Sequence, residues 1–498
     1  MKTSLRWWTA CVASLLVGVV AARAADDPLA KDARAAMEKA TAFMRSISAE
    51  GGYLWRYSPD LKERAGEVAA TPTQIWVQPP GTPAMGMAFL QAYEVTRDAR
   101  YLDAAKAAAD ALAVGQLESG GWDYVVDFDP KLSTAWYRRT DKGKISEAEA
   151  AKRKNISTFD DDNSQSAIRL LLAVADASKS SNEPRDVRIR EARDYALTKL
   201  IAAQRPNGGW PQRWTGTPVD PKEFPVQRAS FPKQYPREHP KLNYNGYYTL
   251  NDNTHRDCIA TLLDAAKRLN KPEYRAAALK GGDFLLLAQL PEPQPAWAQQ
   301  YNPQLQPDWA RAFEPPSVCS GESGGAMRIL VDLYLETGNE KYLEPMPRAI
   351  AWFKRSEISP NNWARMYEIG TNTPIYGDRD GIIKYRVEDL TPERQTGYSW
   401  KGSYGLPAIF SYYEEVKSSG RAAILEKRKQ AEANAASAKS KAARAKALEP
   451  RVREVIAALD GQGRWLGSGG RKASGPQIAT GTFITNLRTL TDYLEAVK

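Results

Sequence analysis

Two kinds of segment in this chain carry side chains that could do chemistry. The first presents arginine: Arg311-Ala-Phe-Glu-Pro-Pro-Ser317, Gly377-Asp-Arg-Asp-Gly381 and Glu393-Arg-Gln-Thr-Gly-Tyr-Ser-Trp400. Each sets Pro or Gly beside its arginine, so each reads as a loop presenting a guanidinium rather than a helix interior. The second kind is acidic: Thr158-Phe-Asp-Asp-Asp-Asn-Ser-Gln-Ser166 and Leu250-Asn-Asp-Asn-Thr254. Three consecutive aspartates repel one another unless solvent or a cation screens them. Helix capping accounts for one or two of these side chains but not all. Arginine suits bidentate capture of carboxylates, and clustered carboxylates suit a hard cation. Together they point to a polyanionic ligand bound with a metal ion. Each arginine also has an acid nearby, so a structural ion pair is the competing reading for any one of them.

Composition narrows the options. The chain has 498 residues and only two histidines, His239 and His255, which argues against a histidine-rich zinc or iron site. Lys2 and Arg6 precede an apolar run ending near Ala22-Arg23-Ala24, the pattern of a secretory signal peptide over residues 1–24. The expectation is a secreted or periplasmic protein without a membrane span. The formal charge is +10, and +7 without Lys2, Arg6 and Arg23. For an exported protein this favours an acidic polymer over nucleic acid as partner. Cys258 and Cys319 could pair after export, but two thiols do not make a disulfide scaffold.

The elements that position these segments repeat. Tyr101 and Trp122, Val187 and Trp210, Tyr274 and Trp297, and Tyr342 and Trp363 each bracket a helical pattern and a loop. A second helical pattern precedes each, over 87–96, 167–177, 259–269 and 326–337. Shorter copies lie at Ala33–Trp55 and Val452–Trp465. Such a unit cannot bury both faces alone, so units must stack. About six pairs can close into an all-α, double-layered (α/α) toroid or barrel with its long loops at one end. The tryptophans are expected to anchor those loops more often than to bind ligand. Residues 25–498 read as one catalytic domain. Within it, 218–241 is an insertion, 420–448 a charged helical linker, and 449–498 hold helices that close the ring.

In this order the segments resemble family-10 pectate lyases: Thr158-Phe-Asp-Asp, Asn207-Gly-Gly-Trp-Pro-Gln, Leu250-Asn-Asp-Asn, Arg311-Ala-Phe-Glu-Pro-Pro-Ser, Ile375-Tyr-Gly-Asp-Arg-Asp-Gly and Arg394-Gln-Thr-Gly-Tyr-Ser-Trp. The resemblance spans roughly residues 30 to 415. It implies a toroid-like helical fold and Ca²⁺-assisted β-elimination on polygalacturonate. It implies Arg311 as base, Asp161 and Asp252 as ligands of Ca²⁺, and Asp160, Arg379 and Arg394 as substrate contacts, with the register among Asp160, Asp161 and Asp162 left open. A monomer is expected. The alternatives are a glycoside hydrolase on the same barrel, using two of Asp123, the Asp160–Asp162 run and Glu314, and a non-catalytic uronate-binding protein. The sequence departs from the family pattern at Ala298-Gln-Gln-Tyr301, where a His-Asp pair is expected.

Overall fold

The computed structural model describes residues 27–468 and 475–498, so the leader expected over residues 1–24 lies outside the described residues. Twelve helices build the scaffold: α1 (Pro28–Ser46), α2 (Thr82–Thr96), α3 (Ala99–Gly115), α4 (Asn163–Ala177), α5 (Pro184–Ala202), α6 (Thr254–Leu269), α7 (Pro272–Ala288), α8 (Ser320–Thr337), α9 (Met346–Arg355), α10 (Leu406–Ala436), α11 (Ala438–Ala457) and α12 (Thr480–Ala496). The even-numbered helices pack side by side: α2 on α4, α4 on α6, α6 on α8, and α8 on α10. The odd-numbered helices back them. Helix α12 packs on α2, and its other neighbours are α11 and α1. The first described helix therefore partners the last, and six pairs close an (α/α) toroid. Among the described residues no helix is long and apolar enough to cross a membrane.

Close packing between inner helices depends on small side chains. At Gly86 of α2 an added Cβ would stand 2.5 Å from Leu170 of α4, so only hydrogen fits there. Several outer helices open with proline in the first turn, where its missing N–H costs nothing, as at Pro28, Pro184 and Pro272. The helices begin earlier than the apolar spacing suggests: α2 starts at Thr82 and α8 at Ser320. Residues 420–448 are helical and folded into the fifth pair, with a break at Gly420 (φ 76°).

The repeated tryptophans are buried anchors. The Nε1 atoms of Trp122, Trp210, Trp297, Trp363 and Trp465 donate to the carbonyls of Leu112, Leu200, Leu285, Phe353 and Val455, at 2.8–2.9 Å. Each thus satisfies a free carbonyl near the end of the preceding outer helix. Glutamines staple neighbouring repeats. Gln116 donates to Gly120 and Ala192, Gln204 to Gly208 and Ala277, and Gln289 to Pro295 and Pro345.

Short antiparallel strand pairs gather the loops at one end. Ser157–Thr158 pairs with Arg213–Trp214, and Tyr248–Thr249 with Gln300–Tyr301. Each pair joins the residues just before an inner helix to the loop after its outer partner. Below the arginine segments lies a four-stranded sheet in the order Ile383–Lys384, Pro374–Gly377, Met366–Glu368, Ser317–Cys319. It has its own apolar cluster, including Trp309, Cys319, Met366, Tyr376 and Trp400. The 218–241 segment is fastened to this layer. Pro236 accepts from Trp309 Nε1 (2.9 Å), Gly381 from the His239 amide (2.8 Å), and Glu368 from Arg237 Nη2 (2.6 Å). Cys258 and Cys319 are both buried and unpaired.

Candidate active site

The two acidic segments have one backbone shape. Phe159 and Leu250 share φ near −100° and ψ −5°, and two left-handed residues follow each: Asp161 and Asp162 (φ 57° and 56°), then Asp252 and Asn253 (φ 45° and 65°). Short polar side chains tolerate this region better than most. By this superposition Asp252 matches Asp161, and Asn251 matches Asp160. Both turns lead directly into adjacent inner helices, α4 and α6, so the toroid brings them face to face.

Asp160, Asp161 and Asp252 meet there, each offering a carboxylate oxygen within 4.8 Å of the others. Asp162 is outside this group and pairs with Arg169 of α4. Asp160 is buried and accepts from Gln212 Nε2 (2.7 Å) and Asn251 Nδ2 (3.0 Å). Asp161 accepts from the Tyr124 hydroxyl (2.8 Å), and Asp252 from Asn251 Nδ2 (2.8 Å). Burial, then the neighbouring carboxylates Asp161 and Asp252, push the Asp160 carboxyl up to about 8. Asp161 and Asp252 are also raised, again chiefly by burial. Three carboxylates that each resist ionising form a set that a hard cation would relieve.

Arg311 faces this cluster, and its charge eases the ionisation of all three aspartates. Its guanidinium is clamped by Glu314, with Nε to Oε2 at 2.7 Å and Nη2 to Oε1 at 2.5 Å. Glu314 is itself buried and accepts from Tyr398 (3.0 Å). Burial alone would lower the Arg311 pKa, but the Glu314 pair outweighs it and holds the guanidinium firmly charged.

Phe313 is the hub of the arginine segments. The guanidiniums of Arg311, Arg379 and Arg394 lie 4.8, 5.7 and 4.3 Å from its ring centre. Arg379 and Arg394 share Glu393 as a carboxylate partner. The loop expectation fails at Arg394: residues Pro392–Gly397 form a short helix, and the Arg394 side chain is buried between Phe313 and Tyr398. Proline opens that helix and glycine ends it, so both residues sit at its boundaries, where they are tolerated. Arg379 is the exposed one, at 64% of its side chain.

Three participants escaped the sequence reading. Arg365 stacks 4.3 Å over Tyr398, pairs with Glu322 at 3.2 Å, and eases the ionisation of Asp252. Its Nε is buried without a partner. Tyr124 and Gln212 hold the aspartates. Arg365 follows the Trp363 marker as an ordinary residue between two short strands, and Tyr124 follows Gly-Gly-Trp122 as an ordinary loop residue. Only Gln212, within the Trp-Pro-Gln motif, had a visible signal.

Comparison with known proteins follows the same line. Residues 223–362 and 357–409 match the family model described as pectic acid lyase. The family 10 polysaccharide lyase from Cellvibrio cellulosa is 22% identical, covering 67% of this chain and 97% of that one, with a TM-score of 0.45. A mutant of it in complex with trigalacturonic acid is 21% identical, covering 67% and 98%, with a TM-score of 0.44. A cellobiose 2-epimerase from Bacillus thermoamylovorans is 13% identical, covering 94% and 98%, with a TM-score of 0.42. A comparison with curated proteins finds no match. The matched segment spans the turn of Asp252 and all three arginine segments, and over that segment this chain is similar to the pectic acid lyases.

Proposed function

We propose that the protein is a secreted or periplasmic, monomeric pectate lyase that cleaves polygalacturonate by Ca²⁺-dependent β-elimination. The observation that carries this reading is the acidic triad lying within electrostatic reach of Arg311. All-oxygen donors with raised pKa values suit Ca²⁺, and Asp160, Asp161 and Asp252 would hold it. When bound, the cation supplies positive charge for the uronate carboxylate on which charge builds as C5 loses its proton. Arg379, exposed beside Phe313, is placed to meet a second carboxylate. Arg394, buried behind the same ring, acts through Glu393 and Phe313 rather than by direct reach.

Arg311 is the proposed base. It needs a neutral guanidinium, and Glu314 opposes that, so abstraction requires the pair to loosen or the pH to be strongly alkaline. Elimination then breaks the C4–O4 bond, the departing O4 takes a proton from solvent, and a conjugated, unsaturated uronate remains. The test is ultraviolet absorbance on polygalacturonate, with and without a chelator, for wild type and Arg311→Ala. A calcium-dependent rise lost in the variant supports the reading, and reducing ends without absorbance refute it. That second result would favour hydrolysis, for which the Asp160 carboxyl, pushed up by burial and its acidic neighbours, is the supporting feature.

A further inference from the structure

A cavity of about 440 Å³, whose lining includes Arg56, Lys62, Glu63, Arg64 and Gln477, lies outside the residues that match the family model. It sits on the sheet in which Arg56–Tyr57 pairs with both Arg64–Ala65 and Gln477–Ala479. Among the described residues, three cations and one carboxylate line it. The arginines of the site above are all tied to carboxylates. Here Arg56 Nη1 donates to the Gly66 carbonyl (3.0 Å) and Arg64 Nε to the Leu61 carbonyl (3.2 Å). Among the described residues neither guanidinium pairs with a carboxylate. Backbone carbonyls orient these forks without neutralising them, which leaves their charge for an incoming anion. Lys62 is 84% exposed and pairs with Asp60 at 3.5 Å.

The cavity connects physically to the acidic triad. Gly66, which holds Arg56, rests on Trp76 so closely that a Cβ would stand 2.0 Å from the ring. Trp76 packs edge-on with Trp55 (5.8 Å) and against Tyr124 (6.2 Å), and the Tyr124 hydroxyl reaches Asp161. Glu67, next along the chain, is near enough to act on the Asp161 charge. Aromatic packing thus joins the wall of this cavity to the turn that carries Asp161, and Arg56 and Arg64 present guanidiniums there that no described carboxylate neutralises.

We propose that Arg56, Arg64 and Lys62 form a further subsite that takes the carboxylate of a uronate ring distant from the cleaved bond on the same polysaccharide chain. This rests on the polyuronate reading of the main site. Its signature is a dependence on ligand length, because only a chain long enough to span both places gains the contact.

The test measures calorimetric binding of oligogalacturonates of increasing length, with Ca²⁺ present, in an Arg311→Ala background that leaves the ligand intact. The double change Arg56→Ala/Arg64→Ala should weaken long oligomers by about tenfold or more and leave the shortest unchanged. Lys62→Glu, at an exposed side chain that cannot unfold the protein, should weaken long oligomers in the same direction. Equal affinity at every length, or equal loss at every length, would overturn the subsite. If no oligomer binds the background protein, the subsite falls with the main reading. If oligomers bind with the expected length dependence but wild type yields no unsaturated product, the subsite stands and only the lyase chemistry fails.

Discussion

Asp160→Asn offers the sharpest test of the acidic triad, because its effect on stability has a definite sign and size. In the folded protein the Asp160 carboxyl is pushed up to about 8, against an ordinary value of 3.8. The unfolded chain loses that proton first as pH rises. Between the two values the folded state binds more protons than the unfolded one, so stability falls as pH increases. The loss is complete above the folded value and amounts to on the order of 5 kcal/mol. For a chain of this length the unfolding entropy is about 1 kcal/mol per degree, so the expected fall in melting temperature is about 5 °C. Asparagine removes the titration. It can keep both hydrogen bonds, since the Gln212 Oε1 atom has no partner and the amide can turn to accept. Melting curves in chelator from about pH 5 to about pH 9 should fall for wild type and stay flatter for Asp160→Asn. Calcium at the alkaline end should restore wild type and do much less for the variant. A flat wild-type profile, or a variant no more stable than wild type at high pH, would refute the idea that these carboxylates repel one another until a cation joins them.

Glu314→Gln removes the anion that holds Arg311 charged, so the alkaline limb of the pH–rate profile should move to lower pH. An unmoved limb in an active variant counts against Arg311 as base. The same change should cost about 1–3 kcal/mol in denaturant unfolding, less than for a fully buried pair because the Arg311 side chain is 41% exposed. Phe313→Leu removes the ring shared by three guanidiniums and should raise KM more than it lowers kcat, which steady-state kinetics on polygalacturonate would show. Trp210→Phe deletes one buried anchor bond to Leu200 and should cost about 1–3 kcal/mol while leaving calcium affinity unchanged, read by thermal melts and calcium titration.

The parts of this architecture that could be read from sequence are those with a period or a repeated backbone need. The helix pairs declare themselves by apolar spacing, and the Gly-Gly-Trp loops by recurring at the same distance. The two acidic turns were legible because each places short polar residues where a left-handed pair precedes a helix. The strand pairs were not, since two residues such as Ser157–Thr158 are too few to show alternation. Nor could the spacing tell that Phe313 gathers three guanidiniums, or that Arg394 faces inward, because stacking depends on how distant segments meet. The role of Glu314 was half visible: its place three residues after Arg311 suggested a pair, but only its burial shows how strongly the arginine is held.

The pairing of α1 with α12 has a consequence for how the molecule is made. The Tyr493 hydroxyl touches Asp27 at 2.6 Å, across almost the whole length of the polypeptide. A helix synthesised early must wait for a partner made more than 400 residues later, and its apolar stripe, Ala33, Met37, Ala40 and Met44, stays uncovered meanwhile. Covalently joining Asp27 to Lys498, which line one cavity, and reopening the chain at the Gly143 turn, where an added Cβ meets nothing within 4 Å, would turn this long-range contact into a local one. Such a permutant should refold faster than the natural order while keeping the same groove.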